Sequence, residues 1–321
     1  MNDFTTSFVV DQTPRKSSTP STTHREPVVE AAVEPATAEL FPKPRTQPGT
    51  PLPMILNDLE AEETHDLEDT VSTLSGKTTI VVGASRGLGR GIATAFAEAG
   101  ATVVAVSRAA AAFPELANGS GTIQLELADA GDATVAASLL DRYEPEAIIL
   151  VAGAPPYMRP LQHQTWETFS INWQTDVRIT FHWLREILLK PLRPGSRVVV
   201  ISSGAALNAN GSPLSGGYAG AKATQRFITG YAQDEAARAG LGITFTTVLP
   251  QFAPLTGVGR PAVQAYAARA GLSVEDFLLT QTFPLLKPEI AGTAMLELVQ
   301  AEAANLAPAY VLNGAGLHKL S

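Results

Sequence analysis

The chain has 321 residues, no cysteine and a hydrophobic content of 45%, which suffices for one large buried core. The lack of cysteine excludes disulfides, thiolate nucleophiles and cysteine metal sites, and it is compatible with a reducing cytoplasm. The formal net charge of −8 belongs to the first 70 residues, where 13 acidic and five basic side chains leave 18 of each to the rest. A neutral remainder gives no reason to expect nucleic acid or an anionic membrane as a partner.

Residues 1–74 are predicted to be a disordered acidic tail rich in Pro, Ser and Thr. Residues 1–70 contain nine of the 23 prolines but one glycine, and they show no sustained apolar period. Within the tail, a short partner-binding helix over 51–69 is the alternative to a solvated linker. No stretch of the chain approaches the roughly 18 apolar residues of a membrane span, so we expect a cytoplasmic protein.

From Gly76 onward, short β-branched runs alternate with longer segments rich in Ala and Leu. This alternation is typical of a doubly wound α/β domain, a parallel sheet with helices on both faces. The predicted strands are 77–82, 102–107, 122–127, 147–152, 197–202, 243–249 and 309–312. The predicted helices are 89–99, 132–143, 165–189, 218–239 and 288–302. We expect one domain over 75–321.

Residues 251–287 interrupt this alternation. Two small helices are predicted there, at 263–270 and 274–280. An insertion after the carboxyl end of a strand usually covers the ligand crevice of such a sheet. The segment is therefore predicted to be a substrate lid.

A glycine-rich turn follows the first predicted strand and leads into the first predicted helix. Glycines at such a junction let the backbone turn sharply and approach a pyrophosphate, whose charge the amino terminus of the helix favours. A purely structural turn is the alternative. The turn residues expected to contact a dinucleotide are Gly83, Ser85, Arg86, Gly87, Leu88 and Gly89.

Tyr218 and Lys222 stand four positions apart in a predicted helix, 15 residues after Ser203. Positions i and i+4 share one face of a helix, so the Lys222 ammonium can favour the ionised form of the Tyr218 phenol. A tyrosine with its free pKa of about 10 is a poor acid–base catalyst at neutral pH, and a nearby cation corrects this. The pattern predicts acid–base chemistry at Tyr218.

The Gly-x-x-x-Gly-x-Gly spacing of the turn, together with Tyr218-x-x-x-Lys222, resembles the short-chain dehydrogenase/reductase family from about residue 75 to the end. The resemblance implies a Rossmann-like core, NAD(P)(H) as cofactor and carbonyl–alcohol redox chemistry. It also implies that Ser203, Tyr218 and Lys222 are the catalytic serine, tyrosine and lysine. Asn172 matches the helix asparagine that continues a proton relay by holding a water between Lys222 and solvent.

Further positions match the family's cofactor site. Asp129 matches an acid that usually contacts the adenine, and Gly153 lies in Val151-Ala152-Gly153-Ala154, which takes the place of the Asn-Asn-Ala-Gly motif. Two valines depart from the family's pattern, Val82 replacing a threonine and Val151 an asparagine. The segment from Ser203 to Tyr218 is about two residues longer than usual, so Ser202 remains an alternative to Ser203.

The end of the second strand indicates the cofactor. NAD-binding folds usually carry Asp or Glu there to accept the ribose hydroxyls, whereas this chain has Ser107-Arg108. Arg86 adds a second guanidinium, a planar group that suits phosphate. We therefore expect NADP(H) to be preferred over NAD(H).

The substrate pocket is harder to predict. The aromatic candidates for its wall are Trp166, Phe169, Trp173, Phe252, Tyr266, Phe277 and Phe283. Most of these side chains are expected in the core rather than in the pocket. The segment 155–160 is a further candidate for that wall. His163 and His182 have no metal-ligand spacing, so no metal site is expected.

Together these patterns predict an NADPH-dependent oxidoreductase that reduces a ketone or aldehyde. Tyr218 would donate the proton and Ser203 would hydrogen-bond the developing oxyanion. A related reaction on a carbon–carbon double bond or a sugar nucleotide is an alternative, and so is a non-catalytic NADP(H)-binding sensor or scaffold. The resemblance alone implies a homodimer or homotetramer formed through helices 165–189 and 218–239.

Overall fold

The computed structural model describes residues 74–116, 121–208, 212–254, 256–281 and 283–320. These residues form an eight-stranded sheet flanked by eight α-helices. The strands are β1 Thr78–Val82, β2 Thr102–Ser107, β3 Thr122–Leu127, β4 Ala147–Leu150, β5 Arg197–Ile201, β6 Thr244–Pro250, β7 Ala309–Asn313 and β8 Gly316–Lys319. The predicted tail over 1–74 lies outside the described residues except for Leu74.

The strand order across the sheet is β3-β2-β1-β4-β5-β6-β7-β8. All neighbouring pairs from β3 to β7 are parallel, and only β8 runs antiparallel, along β7. The chain adds β2 and β3 on one side of β1 and then adds β4 and the later strands on the other side. The sheet is therefore doubly wound, and the order reverses between β1 and β4.

The α-helices are α1 Gly87–Glu98, α2 Ala133–Tyr143, α3 Trp166–Asn172, α4 Arg178–Leu189, α5 Gly216–Arg238, α6 Gly259–Ala270, α7 Val274–Leu279 and α8 Pro288–Gln300. Their boundaries follow local chemistry. The Asp132 side chain caps α2 by accepting from Thr134 N at 2.8 Å, and Pro288 occupies the first turn of α8, where its missing N–H costs nothing. Gly240, with φ +64°, follows the end of α5.

Helices cover both faces of the sheet. Successive residues of a strand point to opposite faces, so a buried strand contributes to both cores. In β1, Val81 belongs to a core cluster that includes residues of α1 and α8, whereas Ile80 and Val82 belong to a second cluster with α2, α4 and α5. The central strands are therefore apolar on both sides, as a buried parallel sheet requires. Leu74, which the sequence placed at the end of the tail, is 2% exposed and packs in the first cluster.

Three elements differ from the sequence prediction. The strand β8 is additional to the seven predicted strands. The predicted helix 165–189 consists of α3, a π-helical turn at Trp173–Val177 and α4. The first helix of the insertion, α6, begins at Gly259, four residues earlier than predicted. Within the described residues, no helix combines the length and apolar character needed to span a membrane.

Candidate active site

The carboxyl ends of β1 to β6 open into one cavity of about 660 Å³. It lies where the strand order reverses, and ligands of open α/β sheets bind in such crevices. Twelve of the thirteen site residues predicted from the sequence line it: Gly83, Ser85, Arg86, Gly87, Leu88, Gly89, Arg108, Asp129, Gly153, Ser203, Tyr218 and Lys222. The exception is Asn172, which is buried but does not line the cavity.

The glycine-rich turn requires its glycines. Gly83 has a φ of +94°, and a Cβ there would lie 2.6 Å from Ala152 N. A Cβ at Gly89 would lie 2.2 Å from Gly83 O, so the turn closes tightly onto the first residues of α1. The first residues of α1 line the cavity, and the unpaired amides of a helix amino terminus favour a bound anion.

The two valines that depart from the family's pattern leave the sheet intact here. The amides of Val151 and Ala152 both donate to Val82 O at 2.9 Å, and Gly83 N donates to Val106 O at 2.8 Å. The backbone itself therefore braces the strand ends, and Val82 packs in the core.

Two arginines stand at the turn side of the cavity. Arg86 and Arg108 are exposed, and neither side chain has a hydrogen bond or ion pair with another described residue. The Arg86 guanidinium lies against the backbone of Gly257 in the insertion, since a Cβ there would be 3.4 Å from Arg86 Cζ. Both guanidinium groups are thus available to a phosphate. Asp129 follows the carboxyl end of β3, and its carboxylate accepts a hydrogen bond from Gly131 N at 3.0 Å.

Lys222 and Tyr218 lie one turn apart on α5, and the Lys222 ammonium lies 5.6 Å from the centroid of the Tyr218 ring. Lys222 is almost completely buried and donates to Ile201 O at 3.4 Å. Burial alone would lower the pKa of Lys222. The charge of Asp176 and the nearby Tyr218 outweigh burial and raise that pKa above its usual value, so Lys222 remains a cation.

Asp176 is a site residue that the sequence reasoning missed. It is fully buried, lines the cavity and forms an ion pair with Lys222 at 3.1 Å. Its carboxylate also accepts from Ala154 N at 2.8 Å, and a Cβ at Gly153 would lie 2.8 Å from it. The available signal was an acidic residue four positions after Asn172, on the same face of the predicted helix.

Asn172 binds the neighbouring backbone instead of Lys222. Its Nδ2 donates to Ala154 O at 2.6 Å and lies 3.4 Å from both carboxylate oxygens of Asp176. Its buried Oδ1 has no hydrogen-bond partner among the described residues. An acceptor left free in this way suits the water that the predicted relay requires.

The structure distinguishes the two candidate serines. The Ser202 hydroxyl is buried and donates to Lys222 O at 2.7 Å, so its proton is engaged. The Ser203 hydroxyl is partly exposed in the cavity, accepts from Ala205 N at 3.2 Å and keeps its proton for a ligand. This geometry favours Ser203.

The insertion forms the far side of the cavity. Tyr266 of α6 shares hydrogen bonds with Ser212 and Ser215, with oxygen–oxygen distances of 2.9 and 3.0 Å, and the two serine hydroxyls are 2.7 Å apart. Besides Tyr218, the aromatic residues in the lining are Phe252, Tyr266, Phe277 and Phe283. Two aromatic candidates from the α3–α4 segment do not line the cavity: Trp166 is 70% exposed and Trp173 is 39% exposed.

Comparisons with known proteins agree with this arrangement. The family model described as short chain dehydrogenase matches residues 77–266. The chain is 30% identical over 199 residues to Hydroxynaphthalene reductase-like protein Arp2 of Metarhizium majus, covering 57% of this chain and 70% of that protein. It is 32% identical over 149 residues to Short chain dehydrogenase/reductase dpmpG of Macrophomina phaseolina, covering 42% of this chain and 85% of that protein.

A solved structure shares the fold. A short chain dehydrogenase from Mycobacterium avium superposes with a TM-score of 0.60 at 20% identity, covering 78% of this chain and 86% of that one.

Proposed function

The chain belongs to the short-chain dehydrogenase/reductase family of oxidoreductases, and on this premise we propose that it is an NADPH-dependent reductase that converts a ketone or aldehyde into an alcohol. The pairing of Tyr218 with Lys222 inside the cavity carries the proposal. The Lys222 ammonium lies 5.6 Å from the Tyr218 ring, and the phenol hydroxyl has no hydrogen-bond partner among the described residues. A phenol held in this way is free to donate its proton to a ligand.

The residues around the glycine-rich turn fit a dinucleotide. The turn packs so closely that Cβ atoms at Gly83 and Gly89 would collide with backbone, and the amino terminus of α1, which favours an anion, lines the cavity. The unpaired Arg86 and Arg108 suit a 2′-phosphate, which supports NADPH over NADH. We place Asp129 near the adenine and Gly153 beside the nicotinamide half.

When bound, NADPH supplies the hydride that reaches the carbonyl carbon. In the proposed mechanism, Tyr218 donates its proton to the carbonyl oxygen, and the Ser203 hydroxyl donates a hydrogen bond to that oxygen as negative charge develops. Lys222 stabilises the tyrosinate left behind and binds the ribose hydroxyls. Asn172 holds the water through which the proton is replaced.

The substrate class follows from the wall of the cavity. Phe252 contacts Phe277 and Phe283 at ring centroid distances of 5.8 and 6.4 Å, so this side is aromatic and apolar. Since a similar protein is named hydroxynaphthalene reductase-like, we propose that cyclic aromatic ketones are among the substrates. The segment 251–287 acts as a lid over them.

The test is NADPH oxidation by the purified protein across ketones, aldehydes, quinones and bicyclic aromatic ketones. The Tyr218→Phe variant is expected to lose at least about a hundredfold in kcat, because proton transfer by a positioned side chain contributes roughly that much or more. NADPH binding should persist, since the ring is retained. Tyr157→Phe is the matched control, because Tyr157 is 46% exposed and does not line the cavity.

A Tyr218→Phe variant that keeps its turnover would refute the assigned role of Tyr218. Tight NADPH binding without turnover on any carbonyl would instead favour the sensor or scaffold. The cytoplasmic location expected from the sequence stays a prediction.

A further inference from the structure

Asp176 is a completely buried carboxylate at the centre of the candidate site. Burying a charge is costly unless it is paired and hydrogen-bonded. Asp176 meets both conditions, because Oδ2 lies 3.1 Å from Lys222 Nζ and Oδ1 accepts from Ala154 N at 2.8 Å. The Asn172 amide nitrogen lies 3.4 Å from each oxygen.

The backbone around Asp176 is also held. Asp176 lies in the π-helical turn at Trp173–Val177, and such turns occur frequently at functional sites. Its carbonyl oxygen accepts from Thr180 Oγ1 at 2.9 Å and from Gln225 Nε2 at 3.2 Å, which ties the turn to both α4 and α5. The position of the carboxylate is therefore set by two helices and by the loop after β4.

The charge of Asp176 acts on Tyr218 through Lys222. The Lys222 ammonium stands between a carboxylate at 3.1 Å and an aromatic ring whose centroid is 5.6 Å away. An anion this close offsets much of the positive field that would otherwise reach the phenol. It also keeps Lys222 protonated in a site where burial disfavours the cation.

Few other charged groups lie near the Asp176–Lys222 ion pair and Tyr218. Among the described residues, α5 contributes Lys222 and Tyr218, while Asn172 from α3 and Gln225 from α5 are neutral. From β5 and the loop after β4, the contacts are the backbone groups of Ile201 and Ala154. At the start of α4, directly after the π-helical turn, Arg178 directs its guanidinium toward Gly131.

We propose that Asp176 is a positioning residue, which holds the Lys222 ammonium in place and whose negative charge sets the pH at which Tyr218 exchanges its proton. The proposal rests on the reductase function proposed above. A pH effect is its signature, since a structural role alone would lower activity equally at every pH.

The test uses Asp176→Asn, which keeps the shape and an acceptor for Ala154 N but removes the charge. Lys222 and Tyr218 both lose a neighbouring anion, so the pair should release its first proton at lower pH. We expect the alkaline limb of kcat/KM for carbonyl reduction to move about one pH unit or more toward acid, because a charge this close shifts a pKa by roughly 1–3 units.

Two further variants define the outcome. Asp176→Ser also removes the charge and leaves room for a water, so it serves if the asparagine variant folds poorly, and it should move the limb in the same direction. Thr180→Val removes the hydrogen bonds of Thr180 Oγ1 with the Asp176 carbonyl and with Gln225 Nε2 without changing any charge, so its pH profile should match that of the unsubstituted protein. Charge-removing variants that bind NADPH normally but leave the alkaline limb in place would overturn the proposal.

A second readout does not depend on turnover. The chain contains six tyrosines, so the ultraviolet tyrosinate titration of Tyr218 is obtained by subtracting the curve of the Tyr218→Phe variant. The titration should move to lower pH in Asp176→Asn. If it moves while no carbonyl is reduced, the reductase function fails and the role of Asp176 in setting the ionisation of Tyr218 stands. If carbonyls are reduced and it does not move, only the role of Asp176 fails.

Discussion

In the proposed function, Arg108 and Arg86 are the residues that select between the two nicotinamide cofactors. Both are exposed at the cavity, and neither pairs with another described side chain. Nothing inside the described protein therefore competes for their hydrogen bonds. A planar guanidinium that binds a phosphate through charged hydrogen bonds contributes about 1.5–3 kcal/mol per bond.

Arg108→Ala should raise the KM for NADPH about 10- to 100-fold, because each 1.4 kcal/mol corresponds to roughly a factor of ten. The KM for NADH should change little, since NADH lacks the 2′-phosphate. Steady-state kinetics with both cofactors on one preparation supply the internal control. Equal losses with NADPH and NADH would show that Arg108 does not read the 2′-phosphate.

The sequence located most of the cavity but missed its central ion pair. Short-range patterns such as Gly83 to Gly89 and Tyr218-x-x-x-Lys222 are local, and the fold brings them together at the strand ends. Asp176 differs because its importance arises from contacts with Ala154 and Lys222, 22 and 46 positions away in the chain. Likewise, the choice of Ser203 over Ser202 depends on a tertiary hydrogen bond from Ser202 to the Lys222 carbonyl.

Among the helices, α1 and α8 pack closely against each other because glycines lie at their contact. A Cβ at Gly292 would lie 2.6 Å from Ala95 Cβ and 2.8 Å from Gly91 O, and a Cβ at Gly91 would lie 2.2 Å from Pro288 O. Because α1 begins at the glycine-rich turn, this packing also sets where its amino terminus points. The stability of the domain and the proposed cofactor site are therefore linked through one helix contact.

Gly292→Ala should destabilise the protein by about 1–3 kcal/mol, the usual cost of overpacking a filled interface. This cost must exceed the gain of up to about 1 kcal/mol that alanine brings to a helix. Urea unfolding measures the change, and the KM for NADPH should rise with it. The matched control is Gly230→Ala on α5, where nothing lies within 4 Å and the substitution should stabilise. A Gly292→Ala variant as stable as the unsubstituted protein would contradict the packing argument.

The sequence predicted each of the seven parallel strands within two residues at either end, because most of them are distinct runs of apolar residues. The strand β8 was missed because its four residues, Gly316–Lys319, include exposed His318 and Lys319 and pair along one edge only. The π-helical turn was missed because it keeps a helical pattern on both sides, and only its contacts with Ala154 and α5 reveal it.

Over the whole molecule, exposed apolar side chains are concentrated in one region. Eleven large apolar side chains are exposed in the described part of the chain, and six of them belong to the continuous α3–α4 helical segment and to α5: Trp166, Trp173, Phe181, Leu189, Phe227 and Tyr231. Helices α4 and α5 pack side by side, joined by the hydrogen bond from Gln225 Nε2 to Thr180 Oγ1 at 2.6 Å. A concentration of aromatic residues of this kind marks an interaction surface.

We propose that this surface pairs with a second copy of the chain, as the family resemblance implies. Phe227, which is 75% exposed, and Phe181, which is 52% exposed, are its best candidates for central contacts. Replacing Phe227 with Glu should separate the subunits, because a charge buried in an apolar contact without a partner is costly. Sedimentation velocity should then report a monomer in place of a dimer or tetramer.

The control for the oligomer is Leu279→Glu. Leu279 is 83% exposed but lies on α7, away from α4 and α5, so the mass should stay that of the unsubstituted protein. Because α5 also carries Tyr218 and Lys222, subunit pairing would brace the helix of the proposed catalytic pair. The Phe227→Glu variant should therefore lose thermal stability as well as mass. An unsubstituted protein that sediments as a monomer at every concentration would exclude the pairing, and the exposed aromatics would then need another partner.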